Sequence, residues 1–351
     1  MKLEAEYITK DIRTAPVARV ESEVYMTDWQ RKALDLYRAG ETKAAIARAL
    51  QAEMGAPTAE HARDRVRKFL KRCSNLQQVS VPTAPAKPQK HEALENLTPK
   101  QHRLQWDGSQ VIRFGLMGDT QINSKYTQLT HLHRFYDICE GLDIDTVFHT
   151  GDIDEGEQMR PGHQYECYEQ GADDHIEEIV RVYPRREGIK TYFITGNHDA
   201  SLYKRAGMDL GRAIADKRED MVYLGRDCAV VKLTDKCTLE LRHPWDGTAY
   251  ALSYKPQKIV EAMEADSKPN ILAIGHYHKI EYLFYRNVHC FQTGCFQSQT
   301  PFTRGKGISV HMGGWIVEIR VAEDGSILGI TPTLVPFYAA IENDWKNWRT
   351  R

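Results

Sequence analysis

Five short β-type runs, each stopping at residues able to hold a metal ion, constrain this chain more than any other feature of its 351 residues. VIRFGLMGDTQ stops at Asp119, DTVFHTGDIDEG at Asp152, and KTYFITGNHD at Asn197, His198 and Asp199. TLELRHPWDG stops at His243, and ILAIGHYHK at His276 and His278. In four of the five, glycine directly precedes the first of these residues. Lacking a Cβ, glycine lets the chain turn sharply where a strand ends. Open α/β sheets gather ligands at the carboxyl ends of their strands, so the five runs are expected to converge on one rim. Asp, Asn and His offer oxygen and imidazole donors suited to Mn, Fe, Zn or Mg. The donors exceed what one ion needs, whereas two ions about 3.5–4 Å apart that share a carboxylate would use them all.

From about residue 105, β-type runs alternate with longer helical patterns, the texture of an α/β domain. The patterns predict strands over Val111–Met117, Thr146–His149, Thr191–Ile194, Thr238–Arg242, Ile271–Ile274 and Val288–Thr293, and helices near Leu129–Cys139, His175–Val182 and Pro256–Ala265. His149, His163, His175, His289 and His311 read as structural histidines, and Cys290 and Cys295 as core thiols. The loop GCFQSQTPFTRGKG carries Arg304 and Lys306, cations suited to a substrate phosphate, and Phe296 and Phe302, rings suited to a base. The insertion RPGHQYECYEQGADDH is expected either to cap the site or to pack Tyr165 and Tyr168 on the sheet.

The overall balance of 47 basic and 48 acidic residues hides an asymmetry. Asp28 to Arg72 carries 11 basic and 6 acidic residues, a net of +5. Three short helices are predicted here. The first spans Asp28–Ala39, with Asp28 as N-cap and Gly40 as its stop. The second opens at Thr42 and turns Ile46, Ala47 and Leu50 to one face. The third follows Pro57-Thr58, with Ala62, Val66, Phe69 and Leu70 at helical spacing. This text resembles a helix-turn-helix module. The resemblance implies a DNA-binding face built from Arg63, Arg65, Arg67, Lys68, Lys71 and Arg72, and a homodimer matching two half-sites. A small bundle with solvated or protein-docking charged faces is the alternative. The expected organisation is a segment of unassigned role (1–27), the helical domain (28–74), a Pro-, Gln- and Lys-rich linker (75–104), the α/β domain (105–340) and a tail (341–351). No apolar run approaches the ~18–20 residues of a membrane span. No apolar leader opens the chain, and seven scattered cysteines without a C-x-x-C pair suit a reducing compartment. A cytoplasmic protein is therefore expected.

Taken in order, Asp119-x-Gln121, Gly151-Asp152, Gly196-Asn197-His198-Asp199, His243 and Gly275-His276-x-His278 resemble the motifs of the calcineurin-like metallophosphoesterase family over about residues 110–320. The resemblance implies a four-layer α/β sandwich, two mixed β-sheets flanked by helices, here preceded by the small all-α domain. It implies one divalent ion held by Asp119, Gln121, Asp152 and His278 and a second held by Asp152, Asn197, His243 and His276. Asp152 bridges them, a hydroxide between the ions attacks phosphorus, and His198 serves the leaving oxygen. Two departures from the family pattern stand out. Gln121 occupies a position usually held by His, a harder and weaker ligand that favours Mn or Mg and that need not ligate at all. Glu155-Gly156 stands where phosphoprotein phosphatases carry Asp-Arg, which speaks against a protein phosphatase and leaves the partner that orients His198 to be Glu155 or another residue.

The expected function is a dinuclear metal-dependent phosphodiesterase or nuclease acting on DNA, with manganese the leading cofactor and no membrane partner. The alternatives are a small-molecule or nucleotide phosphoesterase whose helices serve assembly, and a degraded site in a DNA-binding protein. The expected catalytic pair is His198 and Asp152.

Overall fold

Side chains alternate between the two faces of a strand, and in this chain most strands are covered on both. The computed structural model describes residues 27–75, 99–264 and 266–349, and the chain divides into one unit ending at His91 and another beginning at Glu92. In the second unit β2 (Val111–Met117), β3 (Thr146–His149), β4 (Lys190–Thr195) and β5 (Met221–Arg226) run parallel. The antiparallel strands β11 (Gly313–Val321) and β12 (Ile327–Pro336) extend this sheet beyond β2. A second six-stranded sheet has the order β1 (Lys100–Arg103), β6 (Cys228–Lys232), β7 (Thr238–Arg242), β8 (Ile271–Ile274), β10 (Val288–Thr293), β9 (Ile280–Tyr285).

The two sheets pack face to face. Phe114, Leu116, Phe148 and Ile194 of the first meet Val231, Leu241, Ile271, Ala273 and Phe291 of the second in one buried cluster. Intervening residues turn outward. Met117 and Val147 pack under Leu132 and Phe135 of α4 (Leu129–Gly141) and Ile176 and Ile179 of α5 (Ala172–Val182). Leu272 and Ile274 pack with Val260 of α8 (Tyr254–Ala262). The outcome is the expected sequence of layers, helix, sheet, sheet, helix. Each Phe or Leu buried this completely contributes about 1.5–3 kcal/mol, so the doubly covered sheets form a rigid platform for the loops at their rim.

Strands β2, β3, β7, β8 and β10 have the predicted bounds, and β4 is one residue longer at each end. Two expected boundaries differ. Residues 100–103, assigned to the linker, form β1, which pairs parallel to β6 while three of its four residues stay exposed; His102 Nε2 also lies 2.8 Å from the Leu224 carbonyl. Residues 341–349, assigned to a tail, close onto the sandwich. Asp344, buried in the first turn of α10 (Asp344–Arg349), accepts hydrogen bonds from Thr130 N at 2.7 Å and Thr130 Oγ1 at 2.6 Å, where its charge also favours the N-terminus of α4.

The first unit is three helices, α1 (Asp28–Arg38), α2 (Lys43–Leu50) and α3 (Ala59–Asn75). Ile46, Ala47, Leu50, Ala62, Val66, Phe69 and Leu70 form its core, and Trp29 meets Phe69 edge-on at 5.6 Å. Thr27, not Asp28, is the N-cap of α1; its N–H donates to Gln30 Oε1 at 2.9 Å. Thr42 caps α2 as expected, accepting from Ala45 N. Residues 1–26 and the expected linker over 76–98 lie outside the described residues. Among the described residues no helix is long and apolar enough to cross a membrane.

Candidate metal centre

The loops after β2, β3, β4, β7 and β8 converge on Asp152. Its Oδ2 lies 3.2 Å from His243 Nε2 and accepts from Gln121 Nε2 at 3.2 Å, while Oδ1 accepts from the His198 backbone N–H at 2.9 Å. Asn197 Oδ1 sits 3.1 Å from His243 Nε2 and 2.8 Å from His276 Nδ1. His278 Nε2 is 3.3 Å from Asp119 Oδ1, and both Asp119 carboxylate oxygens accept from His276 N at 3.0 Å. These contacts link all seven expected ligand residues in one network, within which ligand atoms of Asp152, His243 and His276 lie within 4.8 Å of one another.

The backbone is bent to bring them there. Asp119, Gln121, Asp152, His276 and His278 have φ of 51°, 49°, 54°, 76° and 53°. Each non-glycine residue in this left-handed region costs about 1–3 kcal/mol, and such strain clusters at functional sites. Gly196 shows how tight the assembly is: a Cβ there would lie 2.3 Å from Asp152 Oδ1 and 2.6 Å from His243 Nε2.

The donor set fits divalent ions. His243 Nδ1 faces the Thr150 carbonyl at 2.8 Å and His276 Nε2 faces the Asp246 carbonyl at 2.6 Å. A carbonyl only accepts, so in the neutral rings that a metal ion would require those nitrogens carry the protons and the lone pairs of His243 Nε2 and His276 Nδ1 point into the cluster, the arrangement metal-binding histidines adopt. Gln121 Oε1 is buried and has no hydrogen-bond partner among the described residues, a state that costs about 1–3 kcal/mol for a buried acceptor and that a cation would relieve. Burial raises the Asp152 pKa, but His243, His198 and His276 outweigh it and hold the carboxyl well below the usual carboxylate range. Burial likewise opposes charge on His243, yet Asp152 pushes its pKa up to about 9. The buried carboxylate thus draws positive charge toward itself.

His198 stands beside this set. Its Nδ1 lies 2.5 Å from the main-chain carbonyl of Glu155, so the orienting partner is a backbone oxygen rather than the Glu155 carboxylate. That carboxylate is buried between His163 Nε2 at 2.8 Å and Gln297 Nε2 at 2.5 Å. Ligand atoms of Glu155, His163 and His198 all lie within 4.8 Å of one another. His163, read from the sequence as merely structural, therefore borders the site, together with Arg160, whose Nη2 is 3.9 Å from Glu155 Oε1. Nothing in the local pattern of residues 157–163 signals this, because the loop's placement depends on contacts far along the chain.

The other histidines singled out in the sequence have hydrogen-bond partners within the fold. His149 Nδ1 accepts from Gly151 N at 3.1 Å, and burial pulls its pKa down to about 4, keeping it neutral. His175 pairs with Asp154 at 2.7 Å, His289 with the Tyr282 hydroxyl, and His311 accepts from Ile280 N. Phe296 cannot stack on a base. It is buried against Phe135 and Phe337 because the chain turns inward after Gly294. Phe302 is 40% exposed on α9 (Pro301–Gly305), with the Arg160 guanidinium 4.4 Å from its ring centre. Arg304 and Lys306 are exposed, and none of the hydrogen bonds or ion pairs around Asp152 involves them. Tyr168 stacks on Trp345, whereas Tyr165 faces solvent. In the first unit Arg63, Arg65, Arg67 and Lys68 are exposed. Arg67 and Lys68 share Asp64, and Arg65 donates to the Met54 carbonyl. Of Lys71 and Arg72 only the helical backbone is described.

Two mixed sheets lie face to face with helices outside and this ordered set at the shared rim, the four-layer arrangement that the resemblance to calcineurin-like metallophosphoesterases implies. No protein-family model matches the chain. Over 197 residues the chain is 27% identical to the DNA polymerase II small subunit of Methanothermobacter thermautotrophicus, a match spanning 46% of this chain and 40% of that protein. Similar solved structures include an archaeal phosphodiesterase (14% identity, TM-score 0.36, 64% of this chain and 100% of that one). The phosphoesterase YfcE from E. coli is also similar (15%, TM-score 0.34, 63% and 98%), as is zinc-complexed Vps29 from Entamoeba histolytica (16%, TM-score 0.33, 64% and 99%).

Proposed function

We propose that this chain is a metal-dependent phosphodiesterase acting on DNA. The observation that carries the proposal is the convergence of five strand-end loops on the Asp152 carboxylate. Asp119, Gln121, Asp152 and His278 would hold one divalent ion and Asp152, Asn197, His243 and His276 a second. The oxygen-rich first set, with an amide in place of an imidazole, favours manganese. Bound there, such ions acidify water and offset phosphate charge.

The chain's own residues do the rest. Asp152 draws cationic charge, and its Oδ1 fixes the loop that carries His198. With Nδ1–H held by the Glu155 carbonyl, His198 presents Nε2 as the nitrogen that carries a proton to a departing oxygen. The three-helix unit supplies a second contact with nucleic acid through Arg63, Arg65, Arg67 and Lys68, with Lys71 and Arg72 further along α3, to phosphates. The likeness to a protein named as a DNA polymerase small subunit supports a nucleic-acid setting.

An assay in manganese comparing single-stranded DNA, duplex DNA and a small chromogenic phosphodiester tests the proposal. Hydrolysis lost in Asp152→Asn supports it. Hydrolysis of phosphomonoesters alone would favour the small-molecule alternative.

A further inference from the structure

Beside the metal centre runs a strip of two aromatic–cation pairs that the mechanism above does not use. Trp245 lies two residues beyond His243 and its indole is 51% exposed. Its Nε1–H donates to Asp227 Oδ1 at 2.8 Å, and Lys204 Nζ lies 4.2 Å from the ring centre. Asp227 also anchors the ligand loop, because its carbonyl accepts from His243 N at 2.7 Å. The next residue, Asp246, is held by Lys255 Nζ and the Tyr277 hydroxyl, each at 2.5 Å, while its carbonyl faces His276 Nε2 at 2.6 Å. Trp245 is therefore an exposed ring on a loop pinned at both ends to the candidate metal ligands. The next pair adjoins it in the chain: Tyr203 precedes Lys204, and Arg226, which precedes Asp227, places its guanidinium carbon 3.6 Å from the Tyr203 ring centre.

We infer that Trp245 with Lys204, continued by Tyr203 with Arg226, forms a subsite for the base and flanking phosphate of a single-stranded nucleic acid next to the scissile bond. Every base has a π-face that stacks on an indole, and the adjoining ammonium meets the backbone phosphate. The bases of an intact duplex are stacked on one another and cannot reach the ring, so the strip selects a single strand or an unpaired end. Lys204 favours a polyanion over a protein partner, while Arg226 also pairs with Asp209 at 3.7 Å. The inference rests on the phosphodiesterase reading and names its substrate class.

The test uses the full chain in manganese and two chromogenic diesters too small to engage the helical unit, the p-nitrophenyl ester of thymidine 5′-phosphate and p-nitrophenyl methyl phosphate. The readout is the ratio of their kcat/KM values. Stacking of one base is worth about 5- to 150-fold. Trp245→Ala should lower the ratio by that factor, chiefly through KM of the nucleoside ester, and Trp245→Phe should restore most of it. A ratio that moves less than about twofold overturns the subsite while the phosphodiesterase reading stands. If that variant instead changes the sedimentation of the full chain with the ratio unmoved, the ring is a protein-docking face and the inference fails. If the wild-type chain binds manganese and hydrolyses neither ester, the phosphodiesterase reading fails and the subsite with it.

Discussion

Replacing Gly196 by alanine tests the placement of the ligands most directly. A Cβ at this position lies 2.3 Å from Asp152 Oδ1, 2.6 Å from His243 Nε2 and 2.7 Å from His243 Cδ2, where real Cβ contacts essentially never fall below 3.0 Å. Asp152 must then retreat by roughly 0.7 Å and His243 by roughly 0.4 Å. Both are buried, and His243 is fixed from behind by the Thr150 carbonyl, so neither can give way cheaply. Metal–ligand distances tolerate about ±0.2 Å, so the retreat removes two donors from any shared ion. Misplacement of about 1 Å costs about 10²-fold in rate, and kcat/KM for a chromogenic diester should fall by at least ~30-fold. Overpacking adds about 1–3 kcal/mol of destabilisation, or roughly 2–4 °C in Tm per kcal/mol for a domain of this size. The assay measures manganese retained after gel filtration, kcat/KM and Tm, with Gly141→Ala as control because nothing lies within 4 Å of a Cβ there. A Gly196→Ala protein with wild-type manganese content and turnover would refute the convergence of Asp152 and His243 on a common ion.

Four further outcomes are expected. His198→Ala should abolish turnover while leaving metal content intact; normal rates would remove His198 from its assigned role. Gln121→His should tighten manganese binding, read by calorimetry, if the orphaned Oε1 is a ligand atom; an unchanged isotherm removes it from the coordination sphere. Burial opposes charge on His175, but Asp154 outweighs it and raises its pKa from 6.5 to about 9. The ion pair thus contributes about 3 kcal/mol, fully present below pH ~6.5 and lost as pH rises through ~9. Denaturation midpoints should fall across that window, and His175→Ala, less stable throughout, should flatten the slope. Replacing Arg63 and Arg67 by Gln should lessen the salt dependence of duplex binding by about 0.9 in log–log slope per lost phosphate contact.

The strands that carry the site were legible because they are buried on both faces and read as short continuous apolar runs with a glycine at the end, as in ILAIG. Strand β1 was not legible. KQHR has no apolar pattern, and its place comes from backbone pairing with β6. Strands β5 and β6 meet at Asp227, whose left-handed φ of 57° makes a corner that residue identity alone does not announce. The residues that converge on Asp152 could be picked out from motif order, but their immediate surroundings could not. The Glu155 carbonyl, the His163–Glu155–Gln297 chain and Arg160 arise from contacts between residues as far apart as 155 and 297. Phe296 illustrates the opposite error, an aromatic in a polar loop that turns inward and becomes core.

The bent backbone at Asp119, Gln121, Asp152, His276 and His278 has a consequence for engineering. Glycine at these positions suits the local conformation better than the native side chain. A search for heat-resistant variants would therefore be drawn to these sites, and each success there would discard a proposed donor atom. If a metal ion binds as proposed, thermal screening of this chain should be paired with a count of bound metal, since hardiness and cation capture would pull these five residues in opposite directions.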